Sequence, residues 1–310
     1  MCRARLGEYP LQGPQMDFAT FLSGLGVSLI RDLDYRPFAS AEQGVTASSP
    51  ISSETLTIRT IASLGKFTPV AAAIALSMGV KVQAAELQII AGGGIAAPLN
   101  EIAAQFENST GHKTRIRYGT TPELIKMATG TAFDLGVVPQ DVFKDTAARS
   151  QFAHEATPII ARVGLAVAVR VGSPKPDIST PEALKQTLLN AQAIASIPAS
   201  ATGTQLASVY ERLSIGEEMK AKTRAQPAPA QIIEAVAKGD CDLAVFLINV
   251  LTDPRLEVVG PFPAEVQREV VYATGIAANS KETEAASAFI AYLRSPAAAM
   301  VIKAKGMNPG

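Results

Sequence analysis

The stretch Leu87 to Phe106, LQIIAGGGIAAPLNEIAAQF, constrains this chain more than any other. An apolar run from Leu87 to Ala91 stops at Gly92-Gly93-Gly94, and apolar residues then recur at helical spacing through Ile95, Leu99, Ile102, Ala103 and Phe106. The order is strand, tight glycine turn, helix. That geometry aims free backbone N–H groups and the positive end of a helix dipole at whatever lies beyond the strand, a natural seat for an anion. Composition agrees with layers of sheet and helix. Apolar residues make up 47% of the 310, but aromatics only 5% with no Trp, so the core is built from many small aliphatic contacts.

The pattern continues along the chain. Lys113 to Tyr118 alternates as a second strand, Gly119-Thr120-Thr121-Pro122 turns, and Pro122 to Thr129 is predicted helical with Pro122 in its first turn. Asp134 to Val138 is a third strand, with another helix after Pro139 and Gln140. Strands alternating with helices predict a parallel sheet covered on both faces. A long apolar strand, Ile159 to Val171, ends at Gly172-Ser173-Pro174-Lys175-Pro176. Beyond it come a helix capped by Thr180, a strand Ala193 to Ile197, and a polar turn, Pro198 to Thr204, that opens a helix Gln205 to Leu213. A helix Gln231 to Lys238 stops at Gly239, Asp242 to Ile248 is a buried strand, and Glu257 to Val259 and Val270 to Ala277 flank a Gly-Pro-Phe-Pro turn. Helices Glu282 to Leu293 and Pro296 to Lys305 finish the chain.

Residues 1 to 55 read as a disordered or non-native extension, being rich in Ser, Ala, Thr and Pro from Phe38 to Glu54. Residues 56 to 84 have the order of a secretory signal. Arg59 and Lys66 precede an apolar core, Phe67 to Val80, and small residues at Val82-Gln83-Ala84 predict cleavage near Ala84. The expected start of translation is therefore near Leu56, and the expected location is periplasmic. With 28 acidic and 28 basic residues and no basic run, nucleic acid is excluded as a partner. Cys2 and Cys241 form no metal spacing, His112 and His154 read as isolated surface residues, and Asp240 with Asp242 reads as a strand-entry turn. No metal or cofactor is expected.

The run LNEIAAQFENSTGHKTRIRYGTTPELIKMATGTAFDLGVVP resembles the first lobe of the periplasmic molybdate-binding proteins and their relatives among bacterial extracellular solute-binding proteins. TGTQLASVYERL, AVAKGDCDLAVFL, VVGPFPAEVQ and AASAFIAYLRSPAAAMVIKAKGM continue the similarity in order, over residues 86 to 309. The resemblance implies an α/β, two-lobed periplasmic binding protein, type II-like, each lobe a mainly parallel sheet flanked by helices, with the ligand cleft between lobes. Residues 85–168 and 268–310 would form lobe I and 169–267 lobe II. It also implies a non-enzymatic, monomeric component of an ABC importer that closes over a small anion and docks on an inner-membrane permease.

Gly92, Gly93 and Gly94 are then expected to give backbone donors, and Thr120 and Thr121 hydroxyl and backbone donors, with helix capping open to Thr121 as well. Thr202, Gly203 and Thr204 are expected to face them across the cleft, and Asn249 is a weaker polar candidate. Arg162 reads as structural. The chain departs from the molybdate binders where glycines replace a serine after the first strand and Leu247 replaces a tyrosine. The alternative is an NADP-type oxidoreductase, because Gly92 to Ala97 also matches G-x-G-x-x-A. Against it, Arg117-Tyr118-Gly119 stand where the confirming acidic residue belongs.

Overall fold

The computed structural model describes residues 84–153 and 157–310; the readings made on residues 1–83 and on His154 lie outside them. β1 (Glu86–Gly92) buries Leu87, Ile89, Ile90 and Ala91, and a 3-10 turn (Gly93–Ile95) leads into α1 (Ala96–Thr110). Leu99, Ile102, Ala103 and Phe106 of α1 form the stripe that packs into the core. α1 ends at Gly111 with φ 79°, a left-handed backbone for which a residue without a Cβ is suited. That turn folds the next residue back onto the helix and corrects one expectation. His112 is 7% exposed, its ring stacks on Phe106 at 5.7 Å, and its Nδ1 accepts the Ala85 N–H at 3.1 Å.

β2 (Lys113–Gly119), α2 (Thr121–Gly130) and β3 (Leu135–Pro139) complete the opening units, with β1 parallel to both β2 and β3. The helix expected next is reduced to a 3-10 turn (Gln140–Lys144) and one turn of α-helix, α3 (Thr146–Arg149), capped by Asp145. β4 (Ile159–Arg170) follows, then α4 (Pro181–Asn190), β5 (Ile194–Ser196), α5 (Ala201–Arg212), α6 (Gly216–Lys222) and β6 (Thr223–Ala225). α7 (Pro229–Lys238), β7 (Leu243–Leu247), β8 (Leu256–Pro261) and β9 (Glu269–Ile276) precede α8 (Thr283–Leu293), α9 (Pro296–Ala304) and β10 (Asn308–Pro309). α5 starts four residues earlier than its pattern indicates, because Ser200 caps it by accepting the Gly203 N–H at 3.1 Å. Asp242 does serve the strand-entry turn, accepting the N–H groups of Gln192 and Ala193.

The strand order is β2-β1-β3-β9-β4-β7-β5-β6, with β8 and β10 also paired to β4. β4 is the strand that both ends of this order share. Its residues Ile159 to Gly164 pair antiparallel with β9, and from Leu165 to Ala168 its partner is β7. At the change of partner the Gln267 side chain takes the place of a strand. Its Oε1 accepts the Leu165 N–H at 2.9 Å and its Nε2 donates to the Leu165 carbonyl at 3.0 Å. One large core runs under this whole arrangement, and a smaller one around Phe152 lies beneath α2.

Candidate functional site

A cavity of about 250 Å³ lies where four segments begin helices: Gly92–Gly94 ahead of α1, Gly119–Thr121 at α2, Ser200–Thr202 at α5, and Ala228–Pro229 at α7. The first-turn N–H groups of a helix have no partner within it, so these starts offer a partial positive charge and those donors that are not absent, as at Pro122 and Pro229, or taken by Glu123 and Ser200. No lysine or arginine is among the lining residues described. Tyr118, Pro139, Ile197, Phe246 and Tyr272 supply the walls.

The predicted residues divide on inspection. Gly92, Gly93, Gly94, Thr120, Thr121 and Thr202 are brought together around the cavity. Two of the glycines, Gly92 and Gly94, are there for room, whereas a Cβ on Gly93 would meet only ordinary contacts with Pro229. A Cβ on Gly92 would lie 2.7 Å from Tyr272 Cε1, and one on Gly94 would collide with the Tyr272 hydroxyl and the Leu247 Cδ1 methyl. The two threonines have separate duties. Thr120 is the N-cap of α2, and both its N–H and its hydroxyl donate to Glu123 Oε2, at 2.7 and 2.8 Å. The Thr121 hydroxyl is buried in the cavity wall with no hydrogen-bond partner among the described residues. Thr121, not Thr120, therefore holds the uncommitted hydroxyl.

Gly203, Thr204, Asn249 and Arg162 do not line this cavity. Gly203 sits against the Pro198 carbonyl, and Thr204 donates its hydroxyl to the Ser200 carbonyl at 3.3 Å, because both lie within α5 once the helix starts at Ala201. Asn249 is buried behind the glycine loop, where its Nδ2 donates to the Gly94 carbonyl at 2.8 Å. It holds the loop in place from the opposite half of the sheet. Arg162 lies in β4, paired with Val271 and Asn308.

Several lining residues carried weaker sequence signals. Pro229 at the first position of α7 and Ser200 as a cap follow recognised rules for helix starts. Tyr272 has no local signal, since it is one inward residue of an ordinary strand.

The charge balance of the cavity is set by neutral donors and one acid. Burial pushes the Tyr118 phenol up to about 12, and its hydroxyl donates to Asn100 Oδ1 at 2.6 Å. Burial raises the Tyr272 phenol as well, so both keep their protons at neutral pH. The Thr120 N–H, then the Thr120 hydroxyl, hold the Glu123 carboxyl below its ordinary value, so it stays ionised at the rim. Among the described residues no group of three or more His, Cys, Asp or Glu is placed to hold a metal.

The sheet order, with one long strand shared by two α/β halves and a cavity ringed by helix starts from both, defines a two-lobed periplasmic binding protein fold. The family model for bacterial extracellular solute-binding proteins matches residues 87–308, and the chain belongs to that family. An aconitate isomerase from a Pseudomonas species is 32% identical over 231 residues, covering 72% of this chain and 87% of the relative. The molybdate-binding protein ModA of Azotobacter vinelandii is 28% identical over 241 residues, covering 72% and 90%. The solved structure of a periplasmic molybdate-binding protein from that organism superposes with a TM-score of 0.58 at 20% identity, covering 71% of this chain and 98% of that one. A PEB3 structure with L-phospholactate bound, a protein known from Campylobacter jejuni, gives a TM-score of 0.55 at 16% identity, covering 72% and 99%.

Proposed function

We propose that the chain is the exported solute-binding component of an ABC importer and that its cleft takes a small organic anion with two or three carboxylates. The observation that carries this reading is the convergence of four helix starts on one cavity with no lysine or arginine among its described lining residues. Helix N–H groups hold an anion through dipoles and hydrogen bonds, without a countercharge. The cleft, about 250 Å³ before any closure, has room for a small organic anion as well as for a tetrahedral oxyanion. Glycines in place of a serine, and Leu247 in place of a tyrosine, remove two groups that an oxyanion would use. The relative named for aconitate, a tricarboxylate, supports the same class.

In this reading residues 85–168 and 268–310 are expected to form one lobe, but the change of partner in β4 moves the first crossing to 164, leaving 165–267 as the other lobe, and the anion draws the two together by binding the closed form better. Residues 56–84 direct export, with cleavage near Ala84, and an inner-membrane permease receives the loaded, monomeric protein.

The test is a thermal-shift panel of molybdate, sulfate, phosphate, succinate, citrate and trans-aconitate. A di- or tricarboxylate at a hundredfold excess over Kd should raise Tm by about 5–10 °C. A shift from tetrahedral oxyanions alone would overturn the organic class, and no shift from any anion would remove the site.

A second reading rests on the isomerase relative. The Glu123 carboxylate and the protonated Tyr272 line the same cavity, and migration of a double bond in an unsaturated carboxylate needs one proton removed and one returned. Incubating the protein with cis-aconitate in deuterium oxide decides between the readings. Appearance of the trans isomer with deuterium in its methylene establishes turnover, and an unchanged ligand leaves binding alone.

A further inference from the structure

A second cavity, of about 490 Å³, lies along the body of α5, between that helix, α6 and the β5–β6 edge. Its volume falls in the range of about 300–1,000 Å³ typical of small-molecule sites. Two side chains in its wall are unexplained by the fold. Ser196 on β5 is 2% exposed and Tyr210 on α5 is 8% exposed, and neither hydroxyl has a hydrogen-bond partner among the described residues. Buried hydroxyls are costly to leave unpaired, and two of them lining one cavity point to a guest that pairs with both. The rest of the wall is largely apolar, with Leu206, Met219 and Pro198 prominent. Of the charged residues at its mouth, Glu211 and Glu217 outnumber Lys220, which is paired to Glu217 at 2.6 Å, and the excess of acid disfavours an anion.

We propose that this cavity is a binding site, separate from the cleft, for a small uncharged molecule with an apolar body and one carbonyl or hydroxyl oxygen. The oxygen accepts from the hydroxyls of Tyr210 and Ser196, while the body lies against Leu206 and Met219. α5 joins the two sites, since Ser200, Ala201 and Thr202 face the cleft and Leu206 and Tyr210 the second cavity.

The test uses two probes of the same body, 1-indanone and indane, on the whole chain with its seven methionines labelled at the ε-methyl with carbon-13. Millimolar 1-indanone should shift the Met219 resonance in a saturable way and leave Met127, beside the cleft, unmoved. Indane, lacking the oxygen, should bind about tenfold more weakly. In the Ser196→Ala/Tyr210→Phe double variant the affinity for 1-indanone should fall to that of indane, while the melting temperature of the empty protein stays level or rises, because these hydroxyls have no partner to lose. An unmoved Met219 resonance, equal affinity for the two probes, or undiminished 1-indanone binding by the double variant would each overturn the proposal. So would a lower melting temperature in both the double variant and Tyr210→Phe alone, which would show the hydroxyls bonded within the fold.

Discussion

A Cβ at Gly94 has nowhere to go, since the Tyr272 hydroxyl and the Leu247 methyl already occupy its place. Gly94→Ala should therefore destabilise the protein by about 1–3 kcal/mol, read from the urea midpoint, and weaken anion binding at least tenfold as the loop is displaced. Glu123 carries a different prediction. Its folded-state pKa is depressed below the ordinary 4.5 by the Thr120 N–H and hydroxyl, so its stabilising effect is present above the unfolded value and lost as pH falls through the folded one. The same carboxylate, at the rim of an anion site, opposes the ligand. Glu123→Gln should tighten anion binding at pH 7 by about fivefold, on the order of 1 kcal/mol for one like charge in a solvated setting, measured by calorimetry. The residue scale also shows where sequence reading is weakest. The glycines and both threonines stand at legible turns, and the Thr120-x-x-Glu123 spacing of a capping box marks which hydroxyl is spent on Glu123. Asn249 reads as a possible contact yet is turned to the Gly94 carbonyl from behind. Tyr272 is invisible because a strand residue's depth is decided by what packs on it, not by its neighbours in sequence.

Helix starts are the elements that make the cleft, and their caps fix where the free N–H groups point. Ser200→Ala removes the cap of α5, whose oxygen accepts the Gly203 N–H. It should cost about 1 kcal/mol in folding and a measurable loss of anion affinity, whereas Thr180→Ala, the cap of α4 remote from the cleft, should cost similar stability with no change in affinity. At the partner change in β4, Gln267 donates to and accepts from Leu165, so Gln267→Ala should destabilise by about 1–3 kcal/mol in chemical denaturation. Long elements with an apolar period were legible, β1, α1, β4 and β7 among them, because their burial pattern is written locally. Among the short ones β5 is marked by its apolar run, but others are not. β6 and β10 are three and two residues long, and each exists only because a distant strand offers hydrogen bonds. α6 carries a single buried residue, Met219, too few to mark a period.

For the whole molecule, a cleft with no lysine or arginine among its described lining residues would, in the proposed function, select by shape and by oriented N–H groups. The order of β4, with partners from both halves, supplies the connection across which the two sets of helix starts face one another. We propose that a single small organic anion is held by helix starts of both halves at once. Titration of the nitrogen-15 labelled chain with trans-aconitate or citrate, followed by amide NMR, tests it most directly. Saturable shifts with one common Kd are expected at Gly93, Gly94 and Thr121 on one side and at Ala201 and Thr202 on the other. Shifts confined to one side, or shifts produced by molybdate and by no carboxylate, would contradict it.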